Sequence, residues 1–255
     1  SIISLLINKL PKRIRENGVS PGTYINWSEN QLTHRAIIAG FHRDSKKTKV
    51  IGGKQFLPPP NNLNLFNTES ERVFGYAPDR IVTCGEKMKS VLSVYDKEGN
   101  YNVGASFRYD YLRALINYDE IHSGDIRKHR VVSVILPYSE PISRHVLDLS
   151  KKAIHNAIAN GWNIKIKLHP TLTKSDSVTL LREYDMKSDS IELTYDDMEL
   201  LLPETSAIIT SASSVAMEAV CLGIPVVSIG TPIGLDFNML DYSLSSMWRI
   251  AITDG

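Results

Sequence analysis

The segment Ala207–Gly230 restricts the fold more than any other part of the sequence, and it reads AIITSASSVAMEAVCLGIPVVSIG. A short apolar run leads into small hydroxyl residues, then into a helical pattern that ends at Gly223, then into a second apolar run. Apolar runs of this length are typical of strands that are covered on both faces. A strand, a helix and a second strand in this order favour a parallel sheet.

The rest of the chain repeats this alternation. Strands are predicted at Thr23–Trp27, Thr48–Gly52, Arg80–Cys84, Asn102–Ala105, Val131–Leu136, Asn163–Leu168, Ile191–Leu193, Ala207–Ile209 and Pro225–Ile229. Helices are predicted over Ile2–Leu10 (interrupted at Pro11), Glu29–Gly40 (with Gly40 as the stop), Lys87–Val94, Ser143–Asn160, Leu180–Tyr184, Asp197–Leu202 and Ser214–Leu222. The proline-rich stretch 57–70 is predicted to be a loop. We therefore expect an α/β fold with two Rossmann-like parallel-sheet halves, 1–115 and 130–255, joined by a polar connector at 115–129.

Composition excludes several classes of protein. The chain has 255 residues, of which 42% are hydrophobic and 22% charged, as in ordinary soluble domains. The net charge of +1 argues against nucleic acid as a partner. Residues 1–128 hold 19 Lys and Arg against 13 Asp and Glu, a net +6, which suits an anionic partner or simply a solvated surface. Cys84 and Cys221 lie in apolar patterns and are interpreted as buried thiols of a reducing compartment.

The hydroxyl residues in the first segment predict an anion site. Ser213 and Ser214 stand where a helix begins, and a helix N-terminus offers unpaired N–H groups and a partial positive charge. Small side chains let these groups approach a phosphate closely. Glu218 follows one turn later, where its carboxylate would suit a ribose diol. The simpler alternative is that both serines are helix caps and Glu218 is a surface residue.

Two further strand ends carry polar residues. The run IKIKLHP ends in His169 and Pro170, and ligands of open α/β sheets bind outside the carboxyl ends of strands. The run LPYSEPIS places Ser139 and Glu140 at the end of another strand, where a phosphate or sugar contact competes with simple helix capping by Ser139 or Ser143.

These motifs together resemble the nucleotide-sugar half of GT-B glycosyltransferases. The likeness is greatest to bacterial surface-polysaccharide enzymes, among them capsular Kdo transferases, bacterial sialyltransferases and teichoic-acid glycerophosphotransferases. The resemblance implies that His169, Ser213 and Ser214 contact the donor phosphate and that Glu218 contacts the ribose. It also implies a first half that is truncated relative to the full fold.

The first half resembles the acceptor side of such enzymes more loosely, through YINWSEN, VIGG, PDRIVTCG and NVGASFRY. An inverting transfer needs a base near the acceptor hydroxyl, and Glu29 is our candidate, with Trp27 placed to stack on a sugar. The competing interpretation is that Glu29 is a first-turn acidic residue of a helix. His34 is a second candidate catalytic residue, and His42 is a weaker one.

The resemblance implies no metal or other cofactor, since GT-B chemistry generally uses none. The sequence has no CxxC, HExxH or Asp-x-Asp pattern, and Asp196-Asp197 is interpreted as a helix cap.

The function that these features predict is sugar transfer from a nucleotide-activated donor, with a CMP-sugar favoured, to a glycan or lipid-linked glycan acceptor. The alternatives are a polyol-phosphate transferase, which uses a histidine in each half, a nucleotide-sugar 2-epimerase, and a non-catalytic nucleotide-binding module. With no secretory signal in view, we expect a cytoplasmic protein. The apolar first helix and the basic first half favour peripheral association with the inner membrane.

Overall fold

In a computed structural model the chain forms two compact units, Ser1–Arg108 and Tyr109–Gly255, each with its own parallel sheet. The residues that the structure describes are 1–55, 59, 61–116, 129–170, 184, 189–211, 213–230, 238–240 and 242–252. The predicted α/β class with two parallel-sheet halves is confirmed.

The sheet of the first unit has the order β1-β2-β3-β4, so that each strand pairs with the next one along the chain. Its strands are β1 Thr23–Trp27, β2 Lys49–Lys54, β3 Arg80–Thr83 and β4 Tyr101–Val103. Its helices are α1 Ile2–Glu16, α2 Leu32–Asp44, α3 Glu69–Val73 and α4 Glu86–Leu92. The four strands lie within two residues of their predicted ends.

Two predicted helix stops are wrong, and close packing of α1 on α2 explains both. Helix α1 continues through Pro11, which is its one buried residue, and α2 continues through Gly40 to Asp44. A Cβ on Gly40 would lie 2.5 Å from the Asn8 carbonyl oxygen and 3.0 Å from Cγ of Pro11. The glycine therefore lets the two helices approach each other, and the Asn8 side chain ties them by donating to the Ala36 carbonyl at 2.8 Å.

The predicted loop 57–70 contains more structure than expected. A 3₁₀ turn covers Leu63–Leu65, and α3 begins at Glu69. Thr68 and Glu71 form a capping box, in which each side chain binds the backbone N–H of the other residue. The T-x-x-E spacing of Thr68 and Glu71 is typical of a helix start. The prolines before it instead favoured the prediction of a loop over the whole stretch.

The second unit has six parallel strands in the order β10-β9-β8-β5-β6-β7. Its strands are β5 Val131–Ile135, β6 Asn163–Lys167, β7 Ile191–Thr194, β8 Ala207–Thr210, β9 Val226–Ile229 and β10 Trp248–Ala251. Its described helices are α5 Asp110–Ile116, α6 Glu140–Ala159, α7 Met198–Leu201 and α8 Ser214–Cys221. The chain runs outward from β5 to β7, returns to β8 on the other side of β5, and runs outward again to β10. This order has a topological switch point between β5 and β8.

Helix α5 was not predicted. All but its last residue lie inside the range 1–115 assigned from sequence to the first half, but Leu112 packs in an apolar core of the second unit with Leu201, Ile208 and Trp248. The connector 115–129 and the predicted helix Leu180–Tyr184 lie largely outside the described residues.

The interpretation of both cysteines as buried is wrong. Cys84 is half-buried after β3, with Sγ 3.3 Å from the sulfur of Met88. Cys221 is exposed at the last residue of α8, two residues before Gly223, whose φ is positive.

Helix α1 presents apolar side chains to solvent: Ile2, Leu5 and Leu6 are 77%, 70% and 61% exposed. Within the described part of the chain, none of the helices has both the length and the apolar character needed to cross a bilayer.

Candidate functional site

Three of the predicted donor residues of the second unit follow neighbouring strands at the carboxyl edge of its sheet. Ser139 follows β5, His169 follows β6 and Ser213 follows β8, and these three strands are neighbours. The carboxyl ends of parallel strands share one edge, so the three loops share it as well. Open α/β sheets bind their ligands outside this edge at the switch point.

The loop after β8 delivers the start of α8 to this edge. Thr210 donates its hydroxyl to the Ile135 carbonyl at 3.1 Å, which fixes the end of β8 against the end of β5. Ser213 is the N-cap of α8, and its hydroxyl accepts the N–H of Val215 at 3.3 Å. Ser214 is the first helical residue and is half-buried. The capping role predicted as the simpler alternative is therefore real for Ser213, and the N–H of Ala216 in the same turn donates to the Ser213 carbonyl at 3.1 Å.

His169 stands at the end of β6 beside an aromatic side chain from the loop after β5. The rings of Tyr138 and His169 meet edge to face, with centroids 6.1 Å apart. Tyr138 is 71% exposed, His169 is half-buried and Pro170 is exposed. Sequence reasoning missed Tyr138, although it lies within the LPYSEPIS motif.

Ser139 and Glu140 begin α6. Ser139 occupies the N-cap position, but its hydroxyl makes no capping hydrogen bond to a described N–H group. The predicted cap by Ser143 is wrong as well, because Ser143 lies inside the helix and donates to the Pro137 carbonyl at 3.0 Å. The carboxylate of Glu140 pairs with Arg144 one turn later, at 2.8 Å and largely exposed.

Glu218 is not a surface residue. It is 5% exposed, and one of its carboxylate oxygens accepts a hydrogen bond from the hydroxyl of Tyr111 on α5. A buried carboxylate needs such donors to remain ionised. Nothing in the local sequence points to Tyr111, which lies 107 residues away along the chain.

The candidate base Glu29 lies at the carboxyl edge of the first unit's sheet, in the loop after β1. One carboxylate oxygen accepts the indole N–H of Trp27 at 2.7 Å, and the other accepts the amide of Gln31 at 2.9 Å. Helix α2 begins only at Leu32, so Glu29 is not a first-turn residue, and the competing interpretation is wrong. The indole of Trp27 is 43% exposed beside it.

His34 lies on the first turn of α2 and faces Glu29. The backbone N–H of Glu29 donates to Nδ1 of His34 at 3.1 Å. Because this nitrogen accepts, the neutral ring carries its proton on Nε2. Burial lowers the pKa of His34, and the Lys54 charge lowers it further, against an opposing effect of Glu29. In this tautomer His34 presents an N–H donor at Nε2.

A buried polar cluster lies next to this pair. Asn30 donates to the Phe66 carbonyl at 2.9 Å and to the Glu71 carboxylate at 3.3 Å, and Arg35 pairs with Glu71 at 2.8 Å. Lys54, at the end of β2, is 4% exposed, and burial lowers its pKa to about 8. The sequence did not point to these residues, because each contact joins segments that are far apart along the chain.

His42 is excluded from this edge. It lies on the last turn of α2, with Nδ1 2.8 Å from the Gly75 carbonyl and Nε2 3.2 Å from Asp79. Asp79 directly precedes β3, so His42 stands at the amino end of the sheet, opposite to Glu29.

The Asp196-Asp197 pair caps α7 only through its backbone. Asp197 is at the N-cap, but its side chain makes no capping bond within the described structure. The Asp196 carbonyl instead accepts a hydrogen bond from Lys167. No group of three or more metal-ligating side chains occurs among the described residues.

Comparison with solved structures shows what this fold resembles. Staphylococcus aureus MnaA bound to UDP matches with a TM-score of 0.59 and 13% identity, over 90% of this chain and 63% of that chain. The UDP-GlcNAc 2-epimerase of Methanocaldococcus jannaschii matches with 0.59 and 15%, over 99% and 70%. The wall teichoic acid polymerase TagF matches with 0.52 and 14%, over 87% and 57%. No protein-family model matches the sequence, and no curated protein does.

These likenesses define the class of fold. The matching proteins are GT-B enzymes, including epimerases and glycosyltransferases, so the predicted GT-B type is confirmed. The chain spans 57–70% of the length of the three proteins above. At 13–15% identity the comparison shows the fold alone, and the finer resemblance to Kdo transferases and sialyltransferases stays a prediction.

Proposed function

We propose that the protein transfers a sugar from a nucleotide-activated donor to a glycan acceptor of the bacterial surface. The observation that supports this proposal is that Ser139, His169 and Ser213 follow three neighbouring strands, β5, β6 and β8, of a sheet in Rossmann order. The GT-B likeness independently supports a nucleotide-sugar enzyme.

The donor would bind in the second unit. Its phosphates would lie at the N-terminus of α8, where N–H groups and the helix dipole favour negative charge. An N–H of His169 would stabilise the charge that develops on the leaving phosphate. Glu218 is 5% exposed, so a ribose contact through it needs the oxygen that Tyr111 leaves available.

The acceptor would bind in the first unit, beside Glu29. The Glu29 carboxylate would take the proton from the acceptor hydroxyl as its oxygen attacks the anomeric carbon, and the nucleotide would leave with the bonding electrons. Each carboxylate oxygen has one described donor, from Trp27 or Gln31, and retains a second lone pair for this proton. His34 would donate its Nε2–H to a sugar oxygen, and the exposed face of Trp27 would stack on the ring.

Three of the similar solved structures suggest the class of the donor nucleotide. These structures contain UDP, UDP-GlcNAc and CDPG. We therefore propose a pyrimidine nucleotide, and the CMP-sugar favoured from the sequence stays one member of that class.

Two alternative reactions have support of their own. A nucleotide-sugar 2-epimerase is favoured by the match to the M. jannaschii enzyme. A polyol-phosphate transferase is favoured by the match to TagF and by a histidine at the carboxyl edge of each sheet, His34 and His169.

Turnover of a donor panel with and without acceptor separates these activities. The panel holds UDP-GlcNAc, CDP-glycerol and a CMP-sugar, and products are followed by mass spectrometry. Sugar transfer that requires a glycan acceptor supports the proposal. Epimerised donor without acceptor establishes the epimerase, and transfer from CDP-glycerol establishes the polyol-phosphate enzyme. Binding without any turnover would indicate a non-catalytic module.

We further propose that the protein works at a membrane surface through α1. Its exposed apolar residues Ile2, Leu5 and Leu6 precede Lys9 and Lys12, which would meet anionic headgroups. Sedimentation with anionic but not with neutral vesicles, lost in Leu5→Ser/Leu6→Ser, is the expected result. Equal sedimentation of wild type and variant would contradict it.

A further inference from the structure

The loop after β1 alternates between accessible and buried side chains. Trp27 and Gln31 are exposed, Glu29 between them is half-buried, and hydrogen bonds join Glu29 to both neighbours. Ser28 and Asn30, which alternate with these three, are 2% and 4% exposed. The candidate base is therefore flanked along the chain by residues that are fixed in the interior of the first unit.

Asn30 makes every hydrogen bond that a side-chain amide can make. Its Nδ2 donates to the Phe66 carbonyl at 2.9 Å and to the Glu71 carboxylate at 3.3 Å. Its Oδ1 accepts from Nε of Arg35 at 3.2 Å and from the Asn67 amide at 3.1 Å. Because the nitrogen faces acceptors and the oxygen faces donors, an asparagine fits this position and an aspartate does not.

The backbone of Asn30 is also unusual. Its φ is 57°, in the left-handed region that residues other than glycine adopt uncommonly and that asparagine tolerates well. Such a conformation persists where the surrounding contacts impose it, and it is found most often at functional sites. Here it turns the chain between Glu29 and Gln31, and the Gln31 amide donates back to the Glu29 carboxylate at 2.9 Å.

We propose that Asn30 is a positioning residue, whose buried amide fixes the turn that holds the Glu29 carboxylate between Trp27 and Gln31. The four hydrogen bonds tie this turn to α2, to α3 and to the segment that leads into α3. The use of the positioned carboxylate as a base rests on the proposed function. Its orientation by Asn30 does not.

The test is the ¹H–¹⁵N spectrum of the indole N–H groups in the full chain, which has three tryptophans and so gives three signals. Trp27→Phe assigns the Trp27 signal. Glu29→Gln should shift this signal, because a neutral amide replaces a charged acceptor. Asn30→Gly permits the same φ but removes the four hydrogen bonds, and it should shift the Trp27 signal as well. The signals of Trp162 and Trp248 should not move.

The matched control is Asn8→Ala. The Asn8 amide also joins two elements of the first unit, by donating to the Ala36 carbonyl at 2.8 Å, so its loss should lower the melting temperature and leave the Trp27 signal in place. A lower melting temperature with an unmoved Trp27 signal in Asn30→Gly would overturn the proposal. An identical Trp27 signal in wild type and Glu29→Gln would overturn it too, and this comparison remains decisive if Asn30→Gly does not fold.

The kinetic consequence is confined to Glu29. Asn30→Gly should lower kcat for transfer by about 100-fold and leave KM for the donor unchanged, as expected when a catalytic group is displaced by about 1 Å. In the Glu29→Gln background the same substitution should cause no further loss, whereas additive losses would show that Asn30 does not act through Glu29. Since the spectra need no substrate, absence of transfer alone would refute the proposed function and not this positioning.

Discussion

The carboxyl edges of the two sheets are built in different ways. In the second unit, the candidate residues Ser213 and His169 come directly after strands, and their positions depend on local backbone structure. In the first unit, Glu29 stands beside a buried cluster held by long-range contacts, such as the Arg35–Glu71 pair and the Asn30–Phe66 hydrogen bond. An anion site can be formed by strand ends and a helix N-terminus alone. A site for acid–base catalysis needs ionisable side chains from distant parts of the sequence to be brought together by the fold.

The largest expected effect is a loss of transfer rate without a loss of nucleotide affinity, which would distinguish the carboxyl edge of the first sheet from that of the second. Glu29→Gln should lower the rate of transfer by roughly 10³-fold, since a general base contributes about 10²–10⁴. Nucleotide affinity, measured by calorimetry, should not change, because the donor residues lie in the other unit. Glu69→Gln, an exposed glutamate on α3, is the matched control. Equal loss of turnover and of nucleotide binding would refute the assignment of Glu29.

A substitution at the carboxyl edge of the second sheet should instead weaken nucleotide binding. His169→Ala removes the proposed N–H donor to phosphate and should weaken nucleotide binding by about 10- to 100-fold, as expected for a hydrogen bond to a charged group. The exposed His155 on α6 provides the control variant, His155→Ala. Unchanged affinity in His169→Ala would remove this histidine from the donor site.

The burial of Glu218 predicts a smaller effect on stability. Tyr111→Phe leaves the buried carboxylate without its described donor and should lower the free energy of unfolding by about 2 kcal/mol. Urea unfolding measures this, with the exposed Tyr76→Phe for comparison. If nucleotide affinity falls as well, the Glu218 carboxylate contributes to the donor site; a stability change below that of the control would show that the hydrogen bond is unimportant.

The smallest expected effect is the contribution of Lys54 to the pH dependence of the free energy of unfolding. Its folded-state pKa of about 8 lies below the unfolded value of 10.5, so the unfolded chain binds more protons between these values and stability rises with pH. Between pH 7 and 9 this contributes about 1.4 kcal/mol in favour of folding. The difference between wild type and Lys54→Met isolates this contribution from other groups that titrate in this range. A difference that does not change with pH would show that Lys54 titrates normally.

The same contrast explains what the sequence could predict. Strand and helix periodicity predicted both sheets, and the small residues around Ser213 predicted a helix N-terminus at a strand end. Gly40 and Pro11 were wrongly predicted to end helices. Glycine and proline are typical of helix ends, but here the same residues allow α1 and α2 to pack closely. Arg35 and Tyr111 gave no local signal, since their partners Glu71 and Glu218 lie at distant positions along the chain.

The most direct test of the central claim is calorimetric titration of the wild-type chain with UDP, CDP, CMP and GDP. We expect saturable binding of a pyrimidine nucleotide and a melting temperature of the protein that rises with the nucleotide concentration. A ligand at about a hundredfold excess over its dissociation constant should add about 2.7 kcal/mol to stability. Failure of all four nucleotides to bind would contradict the assignment of the Ser139, His169 and Ser213 edge as a nucleotide site.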